Sequence, residues 1–245
     1  MSSRRVKEIP TSVGLARAEI HRPARGTAER GTLVLGHGAG GSAWSADLRA
    51  LTGLADEGFV VVLVEQPWRV AGKRVAARPP VLDTAWTEVL VALRRSRLPR
   101  PLVVGGRSAG ARVACRTAAA RGAHAVLALA FPLRPPAPAR SASGAAQPRG
   151  VPARASRVDE LLLPGLAGLD VLVVQGLRDP FGAGAAVRAA VRAGSPGAVP
   201  SPAVGVVEVV DVPGGHGFGA DPTPVVDAVR AWLEGIAPAA GRARE

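Results

Sequence analysis

One stretch constrains this chain more than any other: Leu102-Val103-Val104-Gly105-Gly106-Arg107-Ser108-Ala109-Gly110, running at once into Ala111-Arg112-Val113-Ala114-Cys115. The Leu/Val run reads as a buried strand, and the small, helix-favouring residues after Ser108 read as a helix. Between them Gly106-x-Ser108-x-Gly110 fits a sharp strand-to-helix turn that holds a serine at its tip. Glycines two residues either side of the serine answer a steric need, because a β-carbon there would strike the neighbouring strand or helix. The helix opening at Ala109 aims its first amides at the serine. The pentapeptide alone also fits a Gly-rich turn with no chemistry, so its meaning depends on the rest of the chain.

Thr32-Leu33-Val34-Leu35 is a second buried strand, ending in Gly36-His37-Gly38-Ala39-Gly40-Gly41. Trp44, Leu48, Leu51 and Ala55 follow at helical spacing, and the run Phe59 to Val64 is the next strand. Strand, glycine loop, helix and strand make a βαβ unit, which predicts a parallel sheet. The Gly36-x-Gly38-x-x-Gly41 spacing also matches a dinucleotide fingerprint, with Glu65 where a ribose-binding acid would stand. Against that reading, Ser42 to Ser45 delay the helix beyond the glycines. The alternative is a loop whose amides face the same site as Ser108, forming an oxyanion hole with Ala39 and Ala109 as donors.

Further strands are expected at Val13 to Ile20, His124 to Ala130, Val171 to Val174 and Val206 to Val210, giving seven in all. Helices are expected around Trp86 to Leu93, from Ala185 to Ala193, and over the stripe from Val225 to Ile236. The tract from Pro132 to Ser156 is rich in Pro, Ala, Ser and Arg and reads as a long loop. Its opening residues Phe131, Leu133 and Arg134 are candidates to wall a pocket, two apolar contacts and a cation for an acidic substrate group. Its middle, residues 137–151, lacks the bulky apolar side chains needed to offset ordering entropy. A single domain over 13–237 is expected, with loose tails at 1–12 and 238–245.

A serine hydroxyl needs a base within hydrogen-bond reach and a carboxylate to orient that base. Asp179, in Gly176-Leu177-Arg178-Asp179-Pro180-Phe181, and His216, in Gly214-Gly215-His216-Gly217, each stand just past a predicted strand. Asp179 also fits an ordinary turn aspartate. His37 is an alternative base, whereas His124, at the start of its strand, reads as structural.

The formal charge of +12 comes almost wholly from arginines spread along the chain, with no aromatic interleaving or nucleic-acid-binding module, so no specific nucleic-acid partner is expected. No apolar run is long enough for a membrane span, and no signal peptide is read at the N-terminus. The one cysteine, Cys115, reads as a small core residue; a cytoplasmic location follows as the default. No cofactor or metal is expected, since no Cys/His/Asp cluster has ligand spacing.

The segments His37 to Gly41, Gly105 to Arg112, Phe131-Pro132-Leu133, Gln175 to Phe181 and Gly214-Gly215-His216 together resemble the α/β-hydrolase superfamily. More narrowly they resemble its dienelactone-hydrolase-like branch, of the testis-expressed protein 30 type. The resemblance covers roughly residues 30 to 235. It implies a three-layer α/β-hydrolase fold with a mostly parallel sheet of seven or eight strands, the eighth hidden near residues 13 to 25 if present. It also implies the order nucleophile, acid, base that Ser108, Asp179 and His216 follow, and an esterase-like hydrolase of small ester or acyl substrates. Some relatives in that branch act as scaffolds, so a non-catalytic interaction protein is the competing class, and an NAD-binding protein a more distant one.

Overall fold

The computed structural model describes residues 2–135, 156–194 and 204–237. Eight strands form one sheet: β1 (Ser3–Thr11), β2 (Gly14–Arg22), β3 (Gly31–Gly36), β4 (Phe59–Glu65), β5 (Leu102–Arg107), β6 (Ala125–Leu129), β7 (Asp170–Gly176) and β8 (Val207–Val212). Their order is β1-β2-β4-β3-β5-β6-β7-β8, antiparallel at β1/β2 and β2/β4 and parallel from β4 onward. The helices are α1 (Ala46–Leu51), the single turn α2 (Pro67–Val70), α3 (Pro79–Arg94), α4 (Ala109–Thr117), α5 (Val158–Leu166), α6 (Gly184–Gly194) and α7 (Thr223–Ile236).

The central strands are apolar on both faces, and their alternation divides the core. Val34, Val60, Val62 and Val104 face Trp86, Val89 and Val113 of α3 and α4. Leu33, Leu35, Val61 and Leu63 face Leu48 and Leu51 of α1 and Val225, Val229 and Leu233 of α7. Covered on both faces, a parallel sheet needs no polar alternation. Arg112 and Arg116 fix α4 to its neighbours, holding Glu160 of α5 and, through Arg116, Asp83 of α3. No described helix is long and apolar enough to cross a membrane.

Three expectations need correction. Residues 3–11 are not a loose arm but β1, paired along its length with β2 from Ser3↔Arg22 to Thr11↔Gly14. The eighth strand is therefore this one, outside residues 13 to 25, and the folded unit begins ten residues earlier than expected. A charged edge strand hides from pattern reading because only one side chain, Ile9, is buried, while Val6 stays exposed. Helix α5 was not anticipated either; it carries a proline at 164 and begins directly after the long tract. Most of that tract, with its middle at 137–151, and the tail at 238–245 lie outside the described residues.

Candidate active site

The elbow takes the shape its glycines allow. Ser108 has φ 54° and ψ −107°, a conformation of order 1–3 kcal/mol above a relaxed one, at the step from β5 into α4. β-carbons at Gly106 or Gly110 would press into the Gly36 carbonyl oxygen, so β3 and α4 meet backbone to backbone beneath the serine. Ser108 N donates to Leu129 O at 2.9 Å, which extends the ladder to β6 through the turn.

The two partners expected from sequence arrive from the next strands of the sheet. Asp179, in the turn after β7, has a fully buried carboxylate. Its Oδ1 accepts from Phe181 N at 2.8 Å, and its Oδ2 accepts from His216 Nδ1 at 2.8 Å and from Gln175 Nε2 at 3.0 Å. His216 follows β8 and places Nε2 3.0 Å from Ser108 Oγ. A carboxylate can only accept, so Nδ1 carries a proton, and the imidazole tautomer this selects has its lone pair on Nε2, facing the serine hydroxyl. Phe181 covers the imidazole edge-on, ring centroids 4.5 Å apart.

Two supports were not foreseen. Gln175, buried at the end of β7, donates through Nε2 to Phe131 O and Gly182 O as well as to Asp179, clamping the acid's turn. Arg107, the variable residue of the elbow, donates to His216 O at 2.5 Å and pairs with buried Asp47 of α1 at 3.5 Å. A β-carbon at Gly38 would lie 3.5 Å from Arg107 Nη1 and 3.6 Å from Ser108 Cβ. One guanidinium therefore bonds the histidine loop and pairs with α1, beside the glycine loop after β3. An arginine inside G-x-S-x-G was the only signal, and its reach is a tertiary fact.

The glycine loop does not open a helix. Helix α1 starts at Ala46, five residues past Gly41, so the phosphate-binding geometry of a dinucleotide fingerprint is missing. His37 in this loop is buried, and burial pushes its pKa down to about 4. Its Nε2 accepts from Gln66 N at 3.1 Å, so its Nδ1 donates to Gly38 O at 2.7 Å. With both nitrogens occupied and no proton to take near neutrality, His37 is not an alternative base. The carbonyl of Gly38 faces the His37 ring, on the β4 side. The Ala39 N–H of the same trans peptide points the opposite way. Arg69 Nη2 holds the Ala39 carbonyl at 3.3 Å. Ala109 is the first residue of α4, where an amide has no carbonyl a turn earlier to donate to.

The expected pocket wall is corrected in part. Phe131 and Leu133 are 0% and 2% exposed and belong to the same buried core cluster as Val113 and Leu161, so neither presents surface to a substrate. Arg134 is exposed, its amide bonded to Phe181 O at 2.9 Å. His124 lies at the opposite edge, accepting from Leu102 N at 3.2 Å, a structural role. Cys115 is buried with its thiol pushed up to about 12, a core residue.

A family profile described as an alpha/beta hydrolase domain matches residues 29–195. No curated protein sequence matches. Among solved structures the chain is similar to XC6422 of Xanthomonas campestris, an α/β serine hydrolase without lid, at 18% identity over 97% of this chain and 96% of that one, TM-score 0.68. It is similar to Est1E of Butyrivibrio proteoclasticus at 15% identity, covering 93% and 97% of the two chains, TM-score 0.68. Dienelactone hydrolase of Anabaena variabilis shares 14% identity over 96% and 99%, TM-score 0.66. An eight-stranded sheet with this order, a strand-to-helix elbow and a matching profile over two thirds of its length place the chain in the alpha/beta hydrolase family.

Proposed function

We propose that the protein is a serine hydrolase of small carboxylic esters or related acyl compounds. The observation that carries the reading is the unbroken relay Asp179–His216–Ser108, with contacts of 2.8 and 3.0 Å, assembled on a strained elbow. Ser108 Oγ attacks the acyl carbon while its proton passes to His216 Nε2; the carbon–oxygen bond to the leaving group then breaks and His216 returns the proton to it. Water, activated by the same histidine, frees the acid and restores Ser108. Asp179 keeps His216 in the Nδ1–H tautomer and stabilises its charged form.

The amides of Ala39 and Ala109 are the proposed donors to the oxyanion, each worth about 3 kcal/mol of barrier. The direction of the Gly38–Ala39 peptide supports the first, the free first turn of α4 the second. Arg134, beside Phe181 and so on the histidine side, is the proposed contact for an acidic leaving group. The family and the lid-free serine hydrolase among its structural relatives agree with this chemistry. Fluorophosphonate labelling of the purified protein tests it: label is expected on Ser108 and absent in Ser108→Ala, together with ester turnover. Folded protein that takes no label, or label that survives the substitution, refutes the reading.

A further inference from the structure

The relay occupies one half of the sheet's carboxyl edge, and on the other half lies an open cleft of about 360 Å³. Val13 and Leu15 wall it from the β1–β2 hairpin, Trp68, Ala71 and Lys73 from α2 and the loop after it, and Val81 and Leu82 from the first turns of α3. Topology brings these elements to the same edge as Ser108. β4 ends there at Glu65, β2 starts there because it runs antiparallel to β4, with Arg17 opposite Glu65, and α3 starts there to return toward β5.

Val13, Leu15 and Val81 are 38%, 37% and 39% exposed, an apolar patch gathered around one concavity. Its hairpin wall is held firm, since Ser12 donates from both N and Oγ to Glu88 of α3 at 2.6 Å. The floor, Trp68, packs against His37 with centroids 5.5 Å apart. Gln66, Trp68 and Leu82 also line a gap of about 10 Å³ that reaches Gly38 and Ala109, so the cleft shares these side chains with a gap bordered by the two loops proposed to supply the oxyanion amides. Among the described residues no carboxylate lines the cleft. The Lys73 ammonium lines the cleft and has no partner among the described residues, and Arg69, outside the lining, lies over the floor residue Trp68 at 4.5 Å.

We propose that this cleft is the acyl-limb subsite of the hydrolase, and that it takes the monoester of an aliphatic dicarboxylic acid: the methylene chain on Trp68 between the apolar walls, the free carboxylate at Lys73. The proposal rests on the Ser108 reading. The leaving group must lie within reach of His216, which comes from β8, on the far side of Ser108. The acyl limb is thereby directed the other way, over β3 toward β4. Two interstrand spacings separate the end of β5 from that of β4, about 10 Å, the length of an extended chain of about eight atoms. The reaction releases the alcohol with the proton carried by His216, and water then releases the dicarboxylate.

The test compares kcat/KM for the p-nitrophenyl esters of acetate, octanoate and hydrogen suberate in the wild type, Val81→Trp, Ala71→Trp and Lys73→Met. Alongside these, suberate is titrated calorimetrically into Ser108→Ala with and without each tryptophan. The wild type is expected to prefer both long esters to acetate by about tenfold or more. Either tryptophan should erase that preference, leave acetate turnover unchanged and abolish suberate binding. Lys73→Met should lower suberate ester turnover about threefold and leave octanoate unchanged, the scale of one exposed ion pair. Acetate turnover with a chain-length preference that survives both tryptophans, or suberate binding that survives them, overturns the subsite and leaves the Ser108 reading standing. A Lys73→Met variant that treats the two long esters as the wild type does overturns the carboxylate contact. Suberate binding that the tryptophans block, with no ester turned over by any form, sustains the cleft as a dicarboxylate site and refutes the reading of Ser108.

Discussion

His37 and His216 stand in nearly the same local setting, each between glycines in a loop just past a parallel strand, and their ring nitrogens face different partners. His216 has a carboxylate on Nδ1 and a serine hydroxyl at Nε2, at 2.8 and 3.0 Å. His37 has a backbone carbonyl on Nδ1 and a backbone amide at Nε2, at 2.7 and 3.1 Å. A carboxylate stabilises the imidazolium that proton transfer creates, whereas a carbonyl inside a buried pocket leaves it exposed to the full cost of desolvation. The residue type is therefore uninformative about the task. What each ring nitrogen faces decides it.

The contrast is open to attack by substitution. His216→Ala should lower kcat/KM by about 10⁴-fold or more, since the serine loses its only base. His37→Phe should cost far less, about 10²-fold, by freeing the Gly38 carbonyl and with it the direction of the Ala39 amide, while the shape of the pH–rate profile is retained. Equal losses in the two variants, or a profile altered by His37→Phe, would remove the distinction. Arg107→Met should lower kcat about tenfold by loosening the His216 loop, and should also destabilise the fold by leaving Asp47 buried without a partner. Adding Asp47→Asn should restore the midpoint of denaturation but not kcat, which separates positioning from stability.

A separate effect is thermodynamic and acts on stability, not on rate. His37 has a folded pKa of about 4 against 6.5 ordinarily, so between those values the unfolded chain binds a proton that the folded chain refuses. Stability attributable to His37 is complete above pH 6.5 and falls by about 3 kcal/mol as the pH drops toward 4. Urea unfolding of the wild type and His37→Phe across this window should show a steeper decline in the wild type. Glu19, held down to about 2 chiefly by its hydrogen bond with Arg4, adds its own loss only below about 4.5 and is common to both proteins.

Much of this arrangement was legible in the sequence. Apolar-rich runs marked β3 to β8, and Ser108, Asp179 and His216 could be found because each follows such a run and has glycine or proline close by. The failures share one cause, which is that they depend on what lies across the molecule. β1 alternates charge with very little apolar content, so its strand character comes from pairing with β2. Phe131 and Leu133 follow a strand at the carboxyl edge of the sheet, but their side chains turn into the buried core. Gln175 reaches a carbonyl 44 positions away and Arg107 one 109 positions away, a reach no local pattern contains.

The contact of Gly106 and Gly110 with the Gly36 carbonyl has a consequence for how such a protein can change. The height of the nucleophile above the sheet is gauged by main chain against main chain, with no side chain in the measurement. Exchanges on the loops after β3, β4, β7 and β8 can remodel the mouth of the site without moving that gauge. A selection experiment that randomises those loops while holding the three glycines should retain the chemistry across many libraries, so that new substrate preferences are reached by variants that never pass through an inactive ancestor.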